Sequence, residues 1–470
     1  MKIRVHTFWI ILISIIYGNC VSAAVNESLI TKSSNYMQIA SELVDAGMYF
    51  SAVPFVKYYL VSNNVSGGKG IDDTIDQIAG NVGGKQFEVL PENILSRSGA
   101  PTLRYILAKK YFRQRKYNQA LLALNAVSDD HAMAPFKRNM KGVIYNIKKD
   151  YKNALIEFKI CISVSQRAIN STGNIRVRQR QLHINRDSCL VNMARTQFAK
   201  GDFEAANSIY LDLSKRSIVW PEILFEEAWN SFYMRNFNRT LGKLVTYKAP
   251  ILSYIFNPEI EVLKAMTYLE LCLWDDAKNA VDNFYKEFQK DAISLENFVA
   301  KAGKNYKLYY LYAKDRQTKN VDDGRFIDKL LKDITRDPAY LEMYESFIQG
   351  RDELQKIKQL KSREAQRVLA QSLKETLVLQ RDLIGVYVKN KLKNFDIKML
   401  KSFEDMSYIK LEVLGLHKRE LYQNMSIGRD RGSISNLERN EKQYFWTFNG
   451  EFWADELGDY VFALKSECRE

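Results

Sequence analysis

Apolar residues recur along most of this chain at three- and four-residue steps, the spacing of a helical face, and the pattern itself repeats. KYNQALLAL at Lys116–Leu124 and DYKNALIEF at Asp150–Phe158 show it most plainly: Tyr117 aligns with Tyr151, Ala120 with Ala154, Leu121 with Leu155 and Leu124 with Phe158, at one offset of 34 residues. A constant offset of this size marks one supersecondary unit repeated, each burying its apolar face against the next. The unit from Pro101 carries Ala108, Tyr111, Ala120 and Leu124, and the unit from Pro135 carries Gly142, Tyr145, Ala154 and Phe158. A third from Asp187 has Ala194 and Ala206, a fourth from Pro221 has Ala228, Thr240 and Leu244, and a fifth from Pro258 has Ala265, Tyr268 and Ala277. The small residues have a physical reason, because two antiparallel helices approach closely only where a side chain is nearly absent.

Tyr36, Ala40 and Ala52 continue the register towards the N-terminus, with Ala52 lying 68 residues, two periods, before Ala120. The intervening unit is degraded: the glycines of SGGKG (Ser66–Gly70) and GNVGGK (Gly80–Lys85) predict loops around a short helix, IDDTIDQIA. Between Ala154 and Ala206 the interval widens to 52, and the extra residues include Arg176, Arg178, Arg180 and Arg186. Longer helices projecting from the array are the expectation, their basic face either docking an acidic partner or simply solvated. After about Lys290 the period fades. Asp352–Ile397 reads as a long amphipathic helix, and Met399–Gln423 as a second that folds back, continues the stack or pairs as a coiled coil with another copy. RDRGSIS at Arg429–Ser435 reads as a linker. Beyond it Tyr444, Trp446 and Phe448 alternate, and Asn449-Gly450 predicts a β-hairpin with a later strand in YVFAL.

A 34-residue unit with a small residue near its eighth position, an aromatic near the eleventh and alanine at the twentieth resembles the tetratricopeptide repeat (TPR) over roughly Ser33–Lys290. The resemblance implies an all-α, right-handed TPR-like helical solenoid that binds a protein or peptide, with long helices and a small aromatic segment following it. It also implies that the first helix of each unit lines a concave groove. At the family's contact positions stand Tyr105, Lys109, Phe112 and Arg113, then Asn139, Val143, Asn146 and Ile147, then Arg195 and Phe198, then Phe225, Trp229, Phe232 and Tyr233. The last four either hold a ligand or pack against the next unit. The carboxylate clamp of chaperone-binding repeats is not matched. The closing stretch YFWTFNGEFWADELGDYVFALKSEC resembles the end of TPR proteins of proteobacterial gliding-motility envelope machinery. Its aromatics, with Trp446 and Trp453 as candidates for binding, either cap the solenoid or form a recognition patch.

Lys2 and Arg4 precede FWIILISIIYG and the small residues Val21-Ser22-Ala23, a signal-peptide pattern; a retained anchor is the alternative, although the run is shorter than the roughly 20 residues that span a bilayer. The expected organisation is a signal peptide at 1–24, a degraded repeat region at 25–100, the solenoid at 101–290, long helices at 291–428, and a linker with the aromatic segment at 429–470. The net charge of +14 falls to +12 without Lys2 and Arg4. In an exported chain this excess suggests an anionic membrane surface, a cell-wall polymer or an acidic protein rather than nucleic acid, or else solvated helix surface. Of the four cysteines after the leader, Cys161 and Cys189 are the candidate disulfide, with burial as small hydrophobes the alternative for all four.

Catalytic signals are sparse. His131, His183 and His417 are scattered, and no zinc spacing, phosphate loop or nucleophile elbow occurs. No enzyme activity, metal or cofactor is expected; a pocket holding two carboxylates with raised pKa values would count against that. The composite reading is a periplasmic scaffold or adaptor in a cell-envelope assembly, with motility as one such assembly, a binder of anionic or glycan envelope polymer as the alternative and an exported enzyme third. The sequon Asn170-Ser171-Thr172 leaves a eukaryotic secretory origin open.

Overall fold

The computed structural model describes residues 25–32, 35–62, 68–171, 176–319, 325–421 and 433–468. The signal segment and residues 429–432 of the expected linker lie outside them, as do the side chains of Arg176 and His417. No described helix is long and apolar enough to cross a membrane.

Antiparallel helix pairs stack in chain order: Tyr36–Asp45 with Tyr49–Val61, Pro101–Arg113 with Tyr117–Asn125, Ala134–Ile147 with Tyr151–Ser171, and Arg176–Lys200 with Phe203–Tyr210. Trp220–Tyr233 with Phe237–Thr246 and Glu259–Glu270 with Trp274–Ala302 follow. The small positions sit at the contacts. Ala40, Ala52, Ala108, Ala120, Ala154, Ala194, Ala206, Ala228, Ala265 and Ala277 are all 0 % exposed. A Cβ on Gly142 would lie 2.5 Å from the Phe158 ring. Thr240 fits where alanine is the rule because its hydroxyl donates to Asn236 O at 3.1 Å. In the degraded unit, helix Lys69–Val82 is followed by two single turns, Lys85–Glu88 and Glu92–Leu95. Gln86, one period after Ala52, is fully buried and donates to Gln380 Oε1 at 2.8 Å.

A second periodic feature lies at the turn inside each pair. Gly47, Arg115, Lys149, Gly201, Arg235 and Cys272 all have φ between 58° and 86°, the left-handed region. Each closes the first helix of its pair, with bonds such as Lys149 N to Asn146 O and Asp150 N to Tyr145 O, both 2.9 Å. Four of the six bear a side chain, where glycine has no Cβ penalty.

The widened interval is a pair of elongated antiparallel helices, Tyr151–Ser171 and Arg176–Lys200, joined by the Cys161–Cys189 disulfide (S–S 2.04 Å). Three of the four arginines expected to project have described side chains, and each makes a contact within the chain. Arg180 pairs with Glu345 at 2.6 Å, Arg178 lies over the Phe136 ring, and Arg186 pairs with Asp187 at 2.8 Å.

The C-terminal helices differ from expectation in where they break. Pro338–Lys358 ends before Arg363–Leu421, which runs unbroken for 59 residues, about 90 Å at 1.5 Å per residue. Nothing near Ile397–Met399 interrupts its periodicity, whereas Ser362 caps its start, accepting from Ala365 N at 3.2 Å. Ala365, Leu369 and Leu373 pack in one core with Ala40, Leu43 and Ala52. Ile384, Val388, Leu392, Met399, Met406, Ile409 and Val413 pack in a second with Phe284, Tyr309, Leu330 and Tyr340. The long helix therefore runs from the first repeat to the last helices of the array.

The hairpin expectation fails. Trp446–Thr447 and Tyr460–Val461 pair in parallel, because residues 448–459 loop round before the chain returns. The second strand lies against Phe237–Thr246 at Gly242, where a Cβ would be 1.6 Å from Tyr460 O. Asn238 donates to Leu464 O at 3.0 Å and accepts from Leu464 N at 2.8 Å. A second disulfide, Cys272–Cys468, fastens the segment to the turn of the fifth unit. The segment is thus a clamp along the flank of the array and not a cap on its end.

Two outcomes are expected. Lys149→Gly raises unfolding stability by about 0.5–1 kcal/mol in urea titration, because glycine removes the left-handed penalty. Gly385→Ala lowers it by about 1–3 kcal/mol, because the added Cβ would lie 2.0 Å from the carbonyl oxygen of Tyr306.

Candidate functional site

The inner faces of the repeats do not form an open groove. Helix Pro338–Lys358 and the long helix lie across them and leave a cleft made of three contiguous cavities. The middle one (≈ 490 Å³) shares Lys109, Gln181 and Glu342 with a neighbour of ≈ 260 Å³, and Glu222, Asp337 and Pro338 with another of ≈ 370 Å³. The two larger volumes are in the range that holds small ligands or short peptide segments, about 300–1,000 Å³.

Positions chosen from the repeat register divide into two sets. Tyr105 and Lys109 line the middle cavity. Glu88 takes Lys109 at 3.0 Å and Arg113 at 2.7 Å; burial would raise its pKa, but these two cations outweigh it and hold the carboxyl low. Asn139 accepts from Asn192 at 3.0 Å, Asn192 accepts from Arg195 at 2.9 Å, and Arg195 donates to Glu226 at 2.8 and 2.5 Å. This ladder crosses three units and satisfies itself. Most of the remaining positions pack, although Ile147 is exposed at 46 % and Tyr233 at 53 %. Phe112 meets Tyr117 edge-on at 5.9 Å, and the buried Oδ1 of Asn146 has no hydrogen-bond partner. Phe225, Trp229 and Phe232 pack with Ile260 and Leu263 of the next unit, and Tyr233 stacks on Phe203 at 5.2 Å. Of these four, only Phe225 also reaches the cleft. Trp446 and Trp453 lie apart from it, on the clamp.

The residues that give the cleft its character were missed, because they come from the degraded unit, the insertion and the C-terminal helices. At one end Lys85 has, among the described residues, the thioether of Met343 (3.1 Å) and the Tyr387 ring (4.9 Å) as its close partners. Arg178 bonds to Ala132 O and Gln181 but to no carboxylate. Surrounding protein lowers the pKa of both. Glu342 projects between them without a bonded partner among the described residues, its pKa raised by desolvation. At the other end Asp337 pairs with Lys391 at 2.5 Å, whereas among the described residues Glu222 has no ion pair and Asp333 accepts a 3.5 Å bond from Phe256 N, with Lys391 near both acids. Desolvation raises the Glu222 carboxyl and pushes Asp333 up to about 6. The cleft therefore carries Lys85 and Arg178 with Glu342 towards one end, and Glu222 and Asp333 with Lys391 and Arg336 towards the other, so that both ends hold charges of each sign.

Glu222 and Asp333, both raised by desolvation, line one cavity. His131 contributes nothing to them: it accepts from Met133 N and bonds Asp76 at 3.1 Å, and His183 is exposed. Among the described residues no group of His, Cys, Asp and Glu is arranged to hold a metal.

No protein-family model matches the chain, and no curated protein matches it. Among solved structures it is similar to one described as "Crystal Structure of Rap Protein Complexed with Competence and Sporulation Factor", at 10% identity over 73% of this chain and 98% of that one, with a TM-score of 0.28.

Asp333 supplies a pH signature. Its folded pKa (about 6) lies above the unfolded value of 3.8, so the folded state holds the extra proton and stability falls as pH rises between those values. Asp333→Asn is expected to stabilise the protein by on the order of 2–3 kcal/mol at pH 7.5 and to flatten the stability profile between pH 4 and 6, as read by denaturation at a series of pH values.

Proposed function

We propose that this chain is an exported scaffold that takes an extended segment of another cell-envelope protein into the interior cleft. The carrying observation is the set of charges that have no ion pair among the described residues in a cleft that repeat positions line: Lys85 and Arg178 towards one end, Glu222 and Asp333 towards the other. A peptide with an acidic or carboxylate end and a basic end complements that order, and charge complementarity sets its direction. Export is supported by the leader pattern and by the pairing of all four described cysteines, since disulfides persist in oxidising compartments. A periplasmic location and a motility assembly are the first context to examine, given the resemblance of the closing segment.

Acid–base catalysis by Glu222 and Asp333 is the competing reading. It requires turnover of a peptide or glycan substrate with a pH limb near 6, abolished in Asp333→Asn while the fold is retained.

The scaffold reading is tested with a photo-crosslinker at Gln349, which lines the cleft, in the protein's own cells. One envelope protein is expected in the crosslinked product, with the crosslink mapping to a single segment. Lys85→Ala/Arg178→Ala should reduce that product about tenfold or more, and an unchanged yield would remove the cleft as the working surface.

A further inference from the structure

The aromatic side chains of the clamp fall into two groups. Phe448, Phe452, Tyr460 and Phe462 hold it together, with ring centroids 5.1 to 6.1 Å apart. Tyr444, Trp446 and Trp453 do not share in this packing and are 67 %, 45 % and 56 % exposed. Tyr444 and Trp446 are two residues apart on extended chain, so they point to one side, and both line a surface cleft of ≈ 430 Å³ against the third and fourth units. Their backbone is fixed: Trp446 N donates to Asp459 O at 3.0 Å within the parallel pair, and the Cys272–Cys468 disulfide ties down the segment beyond it. A rigid pair of exposed aromatics loses little freedom when a ligand covers it.

The polar lining determines what that ligand is. Three lysines (Lys215, Lys243, Lys442) face three carboxylates (Glu227, Asp455, Asp459), so the cleft has no net charge. The ions are also largely matched. Lys215 bonds Asp459 at 2.7 Å, Lys442 bonds Asp212 at 2.5 Å, and Lys243 pairs with Glu227 in the floor. A polyanion gains nothing from ammonium groups already neutralised, whereas hydroxyls can donate to the carboxylates and accept from the lysines. An apolar C–H face then rests on the rings.

We propose that this cleft binds a neutral oligosaccharide, with Tyr444 and Trp446 as the stacking platform and the paired lysines and carboxylates as the hydroxyl-binding rim. This site is independent of the interior cleft, so failure of either reading leaves the other standing. The same chemistry suits a free oligosaccharide or the glycan strands of a cell wall, and two probes distinguish them.

Isothermal titration of the mature protein with an N-acetylglucosamine tetramer and with cellotetraose is expected to give saturable binding of at least one. Tyr444→Ala and Trp446→Ala should weaken it about tenfold or more, and Trp446→Phe should largely retain it. Near-ultraviolet circular dichroism of each variant confirms that the clamp is still docked. Co-sedimentation with isolated cell-wall sacculi, lost in Tyr444→Ala, identifies the wall as the source, and tetramer binding without sedimentation identifies a free saccharide. The proposal is overturned by absence of binding to both oligomers, by stronger binding of polygalacturonate than of either, or by unchanged affinity in both alanine variants.

Discussion

One helix has to satisfy two cores at once. Arg363–Leu421 places Ala365, Leu369 and Leu373 among the first repeats and Ile384 through Val413 among the last helices, and the array can close only if both faces seat together. Burial supplies most of the grip, because each large apolar side chain contributes about 1.5–3 kcal/mol, whereas an exposed ion pair such as Lys398–Glu259 contributes about 0–1. Polar groups set the register. Glu353 accepts from Phe50 N, Ser51 N and the Ser51 hydroxyl at 2.7 to 2.9 Å, and Glu27 accepts from Lys361 N and Ser362 N at the start of the long helix. Both carboxylates meet helix N-termini, where the backbone favours negative charge.

That closure changes what the inner surface can be. In an open solenoid, the first helices of the units would present their side chains to bulk water. Here helix Phe326–Arg336 brings Asp333, and the cap and first turns of Pro338–Lys358 bring Asp337 and Glu342, into the cleft that Lys85, Arg178 and Glu222 also line, and the surrounding protein shifts the ionisation of these groups. If the cleft takes a partner as proposed, partner binding and the ionisation of these groups draw on the same site. The outer surface is modified separately, because the clamp covers the flank of the third to fifth units and presents aromatics that the array lacks there.

Much of the array was legible because its rules are local. A small residue every 34 positions reports helix contact, and each occupies a buried crossing; even the lengthened helices followed from counting the excess residues. What sequence did not disclose depends on distant partners. Gly242 and Gly385 look ordinary until Tyr460 and Tyr306 approach them. Cys272 and Cys468 are 196 residues apart, so no local pattern links them. Asn449-Gly450 carries a hairpin signal, yet packing of Tyr460 on the fourth unit brings the second strand back in the other direction. Phe225, Trp229 and Phe232 had two readings, and the presence of Ile260 and Leu263 beneath them favours packing.

The shared helix also restricts how the chain can change in length. Turns between repeat helices sit on the surface and can take added residues without moving either core. Between Leu373 and Ile384, one inserted residue would rotate the distal face by about 100° relative to the proximal one and pull one core out of register. Seven residues would restore the facing to within about 20°, but would push the two cores roughly 10 Å apart. Insertions and deletions should therefore collect in the repeat turns and avoid this span, whose length measures the distance between the two ends of the array.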